Sequence, residues 1–320
     1  MGFFLPNVAK DPMLAPEEKA EMEEKFISRL MSMRPDSPRT IALACADDAD
    51  ALSAVVMANR LDFATAILCG DSTRIAQVAS ENDLDISQFK IIDCQSDIES
   101  AEMAVRLVRN GHADILMKGH IHTADILRSA LNRETGIRGP GKLSHVAIMY
   151  SGQYDRTLFL TDIAMIMYPT LSDKVHIINN AVSFARHMGV DMPRVACLCA
   201  VETLNPAMQA TVDATALQQM NQRGEIADCI VSGPLAFDIA VSPDAARIKG
   251  VTDPVAGQAD ILMFHNIEAG NNTIKAMVQF GDWVFGGIVM GATAPIIVNS
   301  RSDSKLSKLY SIACACRMQK

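Results

Sequence analysis

The residues best suited to chemistry cluster near the end of the chain. Pro295–Asn299 reads as a strand, and Ser300-Arg301-Ser302-Asp303-Ser304 leads from it into a helical stretch over 302–316, with Leu306, Leu309, Tyr310, Ala313 and Cys316 on one stripe. Free N–H groups and the positive end of the helix dipole favour an anion at such a start. Arg301 can hold a phosphate through two parallel N–H donors. Capping by Ser300 or Ser302, with Asp303 complementing the dipole, explains the hydroxyls and the carboxylate without any ligand. It does not explain Arg301, whose charge opposes the dipole. From Arg301 onward Arg301, Lys305, Lys308, Arg317 and Lys320 stand against Asp303 alone, a local +4 in a chain of net charge −8.

A second turn has the same character. Lys118 and Gly119 directly follow an apolar run, and polar residues including Thr123 and Asp125 open the next helix, with Arg128 about a turn further in. His120 and His122 are close in sequence, but no carboxylate or Cys completes a ligand set, so no metal is expected. Val231-Ser232-Gly233-Pro234 reads as an ordinary helix start, with Pro just inside it. In His265–Asn272, Gly270 permits close approach of a ligand and Asn271 offers it a hydrogen bond; an ordinary loop fits equally. The phosphate-loop, dinucleotide, nucleophile-elbow and H-E-x-x-H signatures are all missing.

The elements that must carry these turns alternate. Short, almost wholly apolar runs at Thr40–Ala46, Ala64–Leu68, Phe89–Asp93 and Ala113–Met117 are separated by helical stretches at Ala49–Leu61, after Ser72, at Asp97–Asn110 and from Thr123 to about Arg133. Strands of this kind are buried on both faces, as in parallel sheets flanked by helices. Thr135–Lys142 reads as a loop and hinge. Ser144–Tyr150 and Thr157–Leu160 then form a hairpin-like pair. The rhythm resumes with helices at Lys174–His187, Pro206–Arg223 and Ile267–Gln279 and strands at Val195–Ala200, Ala227–Val231, Ala259–Phe264 and Val284–Met290. An amphipathic helix over Pro16–Met33 precedes it all.

At 320 residues the prior is two domains. Hydrophobic residues at 49% and charged residues at 21% exclude a disordered chain. The acidic balance and only 5% aromatics make nucleic acid and anionic membrane poor partners, while a small anion needs only a few local donors. Apolar surroundings for most of the eight cysteines suggest reduced core thiols. With no membrane-length apolar run and no secretory pattern at the start, a cytoplasmic location is expected.

The blocks ADILMKGHIHTADILRSALNRETGIRG, KLSHVAIM, IVSGPLAFD, AGQADILMFHNIEAGN and GATAPIIVNSRSDSKLSKLYSIA, in this order, resemble the phosphate acetyl/butyryl transferases, closest to the phosphate butyryltransferase branch. The resemblance covers about 40–318 and leaves out the first 38 residues. It implies a two-domain α/β fold like that of the isocitrate and isopropylmalate dehydrogenases, with a cleft active site, and a division into 1–140 with 287–320 and 141–286. It also implies the reaction acyl-CoA plus phosphate ⇌ acyl phosphate plus CoA, by direct thiol attack in a ternary complex. CoA is then a substrate, no prosthetic group or metal is needed, and a homodimer or larger homo-oligomer is expected. Ser300 matches the family's catalytic serine, donating to the developing oxyanion, and Arg301 would neutralise phosphate. Arg128 matches a family arginine, and Lys118 and Ser144 would line the same cleft; the turns add Gly119 and Asn271 as substrate-binding positions. The acetyl branch has a general-base Asp seven residues after the serine, where this chain has Ser307, so Asp303 or Glu268 is left as thiol base. The rival readings are an NAD(P)-dependent dehydrogenase of the same fold, which needs an Asp cluster for metal that is not seen, and a non-catalytic acyl-CoA-binding protein.

Overall fold

The computed structural model describes residues 16–151, 154, 156–281, 283–300 and 303–318. The chain divides into two compact units, one formed by Met1–Pro140 and Val284–Lys320, the other by Gly141–Trp283. The expected boundary residue 287 lies inside a strand, Val284–Met290.

In the first unit the chain runs α1 (Pro16–Ser32), β1 (Arg39–Ala44), α2 (Ala49–Arg60), β2 (Ala64–Gly70), α3 (Ser72–Glu81), β3 (Lys90–Asp93), α4 (Asp97–Arg109), β4 (Ile115–Lys118) and α5 (Thr123–Ala130). The second unit contains β5 (Ser144–Tyr150), β6 (Leu158–Thr161), α6 (Leu171–His187), β7 (Arg194–Leu198), α7 (Gln209–Gln222), β8 (Ile230–Leu235), α8 (Phe237–Val241), α9 (Pro243–Ile248), β9 (Ile261–Met263) and α10 (Ile267–Phe280). The first unit is completed by β10 (Val284–Met290), β11 (Ile296–Ile297) and α11 (Lys305–Arg317).

The first unit has strand order β3-β2-β1-β4-β11-β10. All neighbours are parallel except β10, which is antiparallel to β11. Ile41–Ala44, Leu68 and Ile115–Met117 are fully buried, the consequence of helices covering both faces of the strands. α11 packs on α2 and β10, and α4 packs on β1 and α5. α1 is a packed helix: Phe26 and Leu30 are buried, the Phe26 ring meets Tyr310 edge-on at 5.5 Å, and Arg29 Nε donates to the Tyr310 hydroxyl at 3.0 Å.

The second unit has order β5-β6-β9-β7-β8. The expected hairpin-like pair is present as antiparallel β5 and β6, and the other neighbours are parallel. One expectation is overturned here. Gly233 and Pro234 end β8 rather than start a helix, with a cis peptide between them. The backbone of β8 runs so close to β7 that a Cβ on Gly233 would lie 2.7 Å from Cys197 Cβ, which is why glycine stands there. The short helices α8 and α9 follow, unforeseen because neither is long enough to show a period. No helix among the described residues is long and apolar enough to cross a membrane.

His145 on β5 is buried and its Nδ1 has no hydrogen-bond partner. Burial pushes the imidazole from 6.5 down to about 4. As pH falls below 6.5 the unfolded chain takes up a proton that the native one refuses, so stability declines progressively until about pH 4. Urea melts at stepped pH should show this slope, and His145→Gln should remove it.

Candidate active site

The order β3-β2-β1-β4 places a reversal at β1. α2 carries the chain to β2 on one side, whereas β4 flanks β1 on the other. In open α/β sheets ligands bind beyond the carboxyl ends of strands at such a point. The turns leaving β1, β4 and β11 all depart from this end.

The first two turns are locked together. The Gly119 N–H donates to the Ala44 carbonyl and the His120 N–H to that of Cys45, each at 2.8 Å. A Cβ on Gly119 would sit 2.2 Å from the Cys45 carbonyl oxygen, so the approach requires glycine. Lys118 is buried, with Nζ donating to the Gly119 and Ile121 carbonyls at 3.2 Å each, so its ammonium braces its own turn. Asp47, after β1, pairs with Arg74 at 2.7 Å and lies 3.8 Å from His120 Nδ1. Burial pushes the Cys45 thiol up to about 12, which removes it as a thiolate nucleophile at neutral pH. Arg128 is exposed on α5 and pairs with Asp125 at 2.7 Å.

The third turn shows Ser300 to solvent, three residues past the end of β11. Its N–H donates to Asp303 Oδ2 at 2.7 Å, and Asn299 Nδ2 donates to the same oxygen at 3.2 Å. This folded-back carboxylate delays the helix, because side-chain acceptors for nearby N–H groups compete with helical bonding. α11 therefore begins at Lys305 under a Ser304 cap, whose Oγ accepts the Ser307 N–H at 3.1 Å, and not at 302 under Ser300 or Ser302. Arg301 and Ser302 lie outside the described residues. Ser307 is buried, with its Oγ 3.2 Å from that of Ser304. Of the cations behind the local +4, Lys308 is only 3% exposed and turned inward.

The family model "Phosphate acetyl/butaryl transferase" matches residues 98–316. Phosphate butyryltransferase of Clostridium beijerinckii is 45% identical over 92% of this chain and 97% of its own length. The chain belongs to this family and is an acyltransferase. Phosphate acetyltransferase of Thermotoga maritima is 37% identical over 90% of this chain and 98% of its own. The crystal structure of a branched-chain phosphotransacylase from Enterococcus faecalis V583 superposes with a TM-score of 0.78 at 32% identity, over 88% of this chain and 98% of that one. A putative 4-hydroxythreonine-4-phosphate dehydrogenase from Salmonella typhimurium, 13% identical with a TM-score of 0.55, shares the fold over 88% of this chain and 100% of its own.

The remaining expected residues of this acyltransferase lie in the second unit. Ser144 is fully buried and accepts from Asn180 Nδ2 at 2.8 Å, a contact that ties β5 to α6. Asn271 donates to the Ile163 carbonyl at 3.1 Å. Gly270, beside it, is buried against the Asp162 carbonyl, which a Cβ would meet at 2.7 Å; close backbone packing rather than a ligand occupies that space. Glu268 is exposed and accepts from the Tyr168 hydroxyl at 2.8 Å. Among the described residues no group of three His, Cys, Asp or Glu is placed to share a metal ion.

Sequence reasoning missed what two groups of polar residues do. Lys308 is one. The other is Lys174, fully buried, whose Nζ lies 2.5 Å from Asp213 Oδ2 and 2.8 Å from His265 Nδ1. Burial and the Lys174 ammonium hold the His265 imidazole below its usual range. The ring is therefore neutral and accepts at Nδ1, carrying its proton on Nε2. His265 and Asp213 line a cavity of about 520 Å³ with Tyr168, Thr170 and Gln209. A signal was available: Lys174 shares a helical stripe with the buried Ile177, Ile178 and Ala181.

Proposed function

We propose that this chain interconverts short-chain acyl-CoA plus phosphate with acyl phosphate plus CoA, butyryl or acetyl. The observation that carries the reading is Ser300: an exposed hydroxyl at the carboxyl end of β11, on a turn held by Asp303, in a chain 45% identical to a phosphate butyryltransferase. In the direction of thioester synthesis the CoA sulfur bonds to the acyl carbon of the acyl phosphate. The carbonyl electrons collect on oxygen, where the Ser300 hydroxyl donates to the oxyanion. They return as the carbon–oxygen bond to phosphate breaks, and Arg301 takes the charge of the leaving dianion. Lys118, Gly119 and Arg128 belong to the same reading as phosphate- and acyl-binding positions, and Ser144 and Asn271 as substrate-binding ones.

The thiol proton passes to Asp303 or Glu268. Asp303 is the nearer in sequence, but its Oδ2 already accepts the Ser300 N–H and the Asn299 amide. A thiol of ordinary pKa, about 8.5, needs only modest help from neighbouring cations. CoA acts as a diffusible substrate. A fold of the isocitrate and isopropylmalate dehydrogenase kind, a cytoplasmic location and a homo-oligomer complete the reading; the fold part is supported by the likeness to a dehydrogenase. The test is thioester absorbance on mixing the protein with CoA and either acetyl or butyryl phosphate. Turnover with at least one is expected; folded protein that forms no thioester with either would overturn the reading.

A further inference from the structure

Lys308 is a lysine at 3% exposure, a costly place for a charge unless its protons are used. Its ammonium has three N–H donors. Nζ lies 2.7 Å from the Asp303 carbonyl oxygen and 3.3 Å from that of Ser300. The carboxylate it faces, Asp50 on α2, is 3.9 Å away and 43% exposed. Both acceptors within hydrogen-bond distance are thus main-chain oxygens of the very turn that carries Ser300. The longer ion pair with Asp50 reaches a second helix, and α11 and α2 pack against each other. Asp303 grips the same turn through its carboxylate, via the Ser300 N–H and Asn299. The Ser300 backbone is therefore held at both its N–H and its C=O.

We propose that Lys308 is a positioning residue for acyl transfer, fixing the Ser300 turn so that the hydroxyl meets the developing oxyanion. The proposal rests on the function given above and acts through Ser300. Lys308 touches no substrate. Its influence is on the placement of the serine, and a misplacement of about 1 Å is enough to cost about 10²-fold in turnover.

The experiment compares the whole protein with S300A, K308M, K308Q and the double variant S300A/K308M, using butyryl phosphate and CoA as substrates. K308M keeps the length of the side chain without the charge; K308Q keeps an N–H donor for one carbonyl. The expected result is a kcat lowered about 10²-fold in K308M, with the KM for CoA within about threefold of the parent. K308Q should fall between the two. The double variant should turn over no more slowly than S300A alone, because residues that act through one another are not additive. A purely architectural lysine would instead add its loss on top of S300A. Overturning results are a K308M turnover within about threefold of the parent, a full additional loss in the double variant, or the absence of cooperative thermal unfolding in both K308M and K308Q. Full activity in S300A would instead defeat the reading of Ser300 itself, which separates the two failures.

Discussion

Replacing Ser300 with alanine is expected to lower kcat by about 10²–10³-fold, the loss that follows removal of a single oxyanion donor, about 2.7–4 kcal/mol. The variant should fold normally. Ser300 is exposed, and alanine keeps the N–H and the carbonyl through which Asp303 and Lys308 hold the turn. A hydroxyl whose donation to the oxyanion is strongest in the transition state adds little to ground-state binding, so the KM for CoA should change little. Steady-state kinetics with butyryl phosphate and CoA, alongside a thermal melt, check this. A variant that folds and turns over at the parental rate would remove the serine from the chemistry.

Replacing Asp213 with alanine should instead destabilise the second unit strongly. Lys174 is fully buried, and Asp213 is the carboxylate that balances its charge, at 2.5 Å. His265 stays neutral beside it and supplies no compensating negative charge. Removing one partner of a buried ion pair strands the other, at a cost of about 3–5 kcal/mol. Converting both residues to apolar ones, in D213L/K174M, should recover most of that loss because no charge is then left without water or a partner. Urea unfolding of the two variants and the parent measures the difference. A stability for D213A within about 1 kcal/mol of the parent would mean that Lys174 finds another acceptor. Gln209, whose amide donates to Asp213 Oδ1 at 2.8 Å, also loses its partner in this variant and adds to the effect.

The sequence by itself determined the α/β class, most of the run of strands and helices, and where its strand-to-helix turns near 118 and 300 fall. Apolar runs of strand length alternating with helical periods leave few other ways to bury the core. Ser300, Lys118 and Gly119 stood out as candidates for a related reason: polar residues and glycine soon after a buried strand mark the end of a sheet where ligands collect. Only the tertiary structure decided what the charged groups do there. Lys308 looked like one of a local group of cations, yet α11 turns it inward onto the Ser300 and Asp303 carbonyls. The expected cap at Ser300 or Ser302 moved to Ser304 because the Asp303 carboxylate folds back onto an N–H that only a bent chain presents. Gly233 and Pro234 carry the local grammar of a helix start, but the neighbouring β7 draws them into β8. Lys174, Asp213 and His265 come together from three separate stretches of chain. Periodicity and turn chemistry are local and read outward from single residues, whereas the direction of a charged side chain depends on which distant carbonyls and carboxylates surround it once the strands are paired.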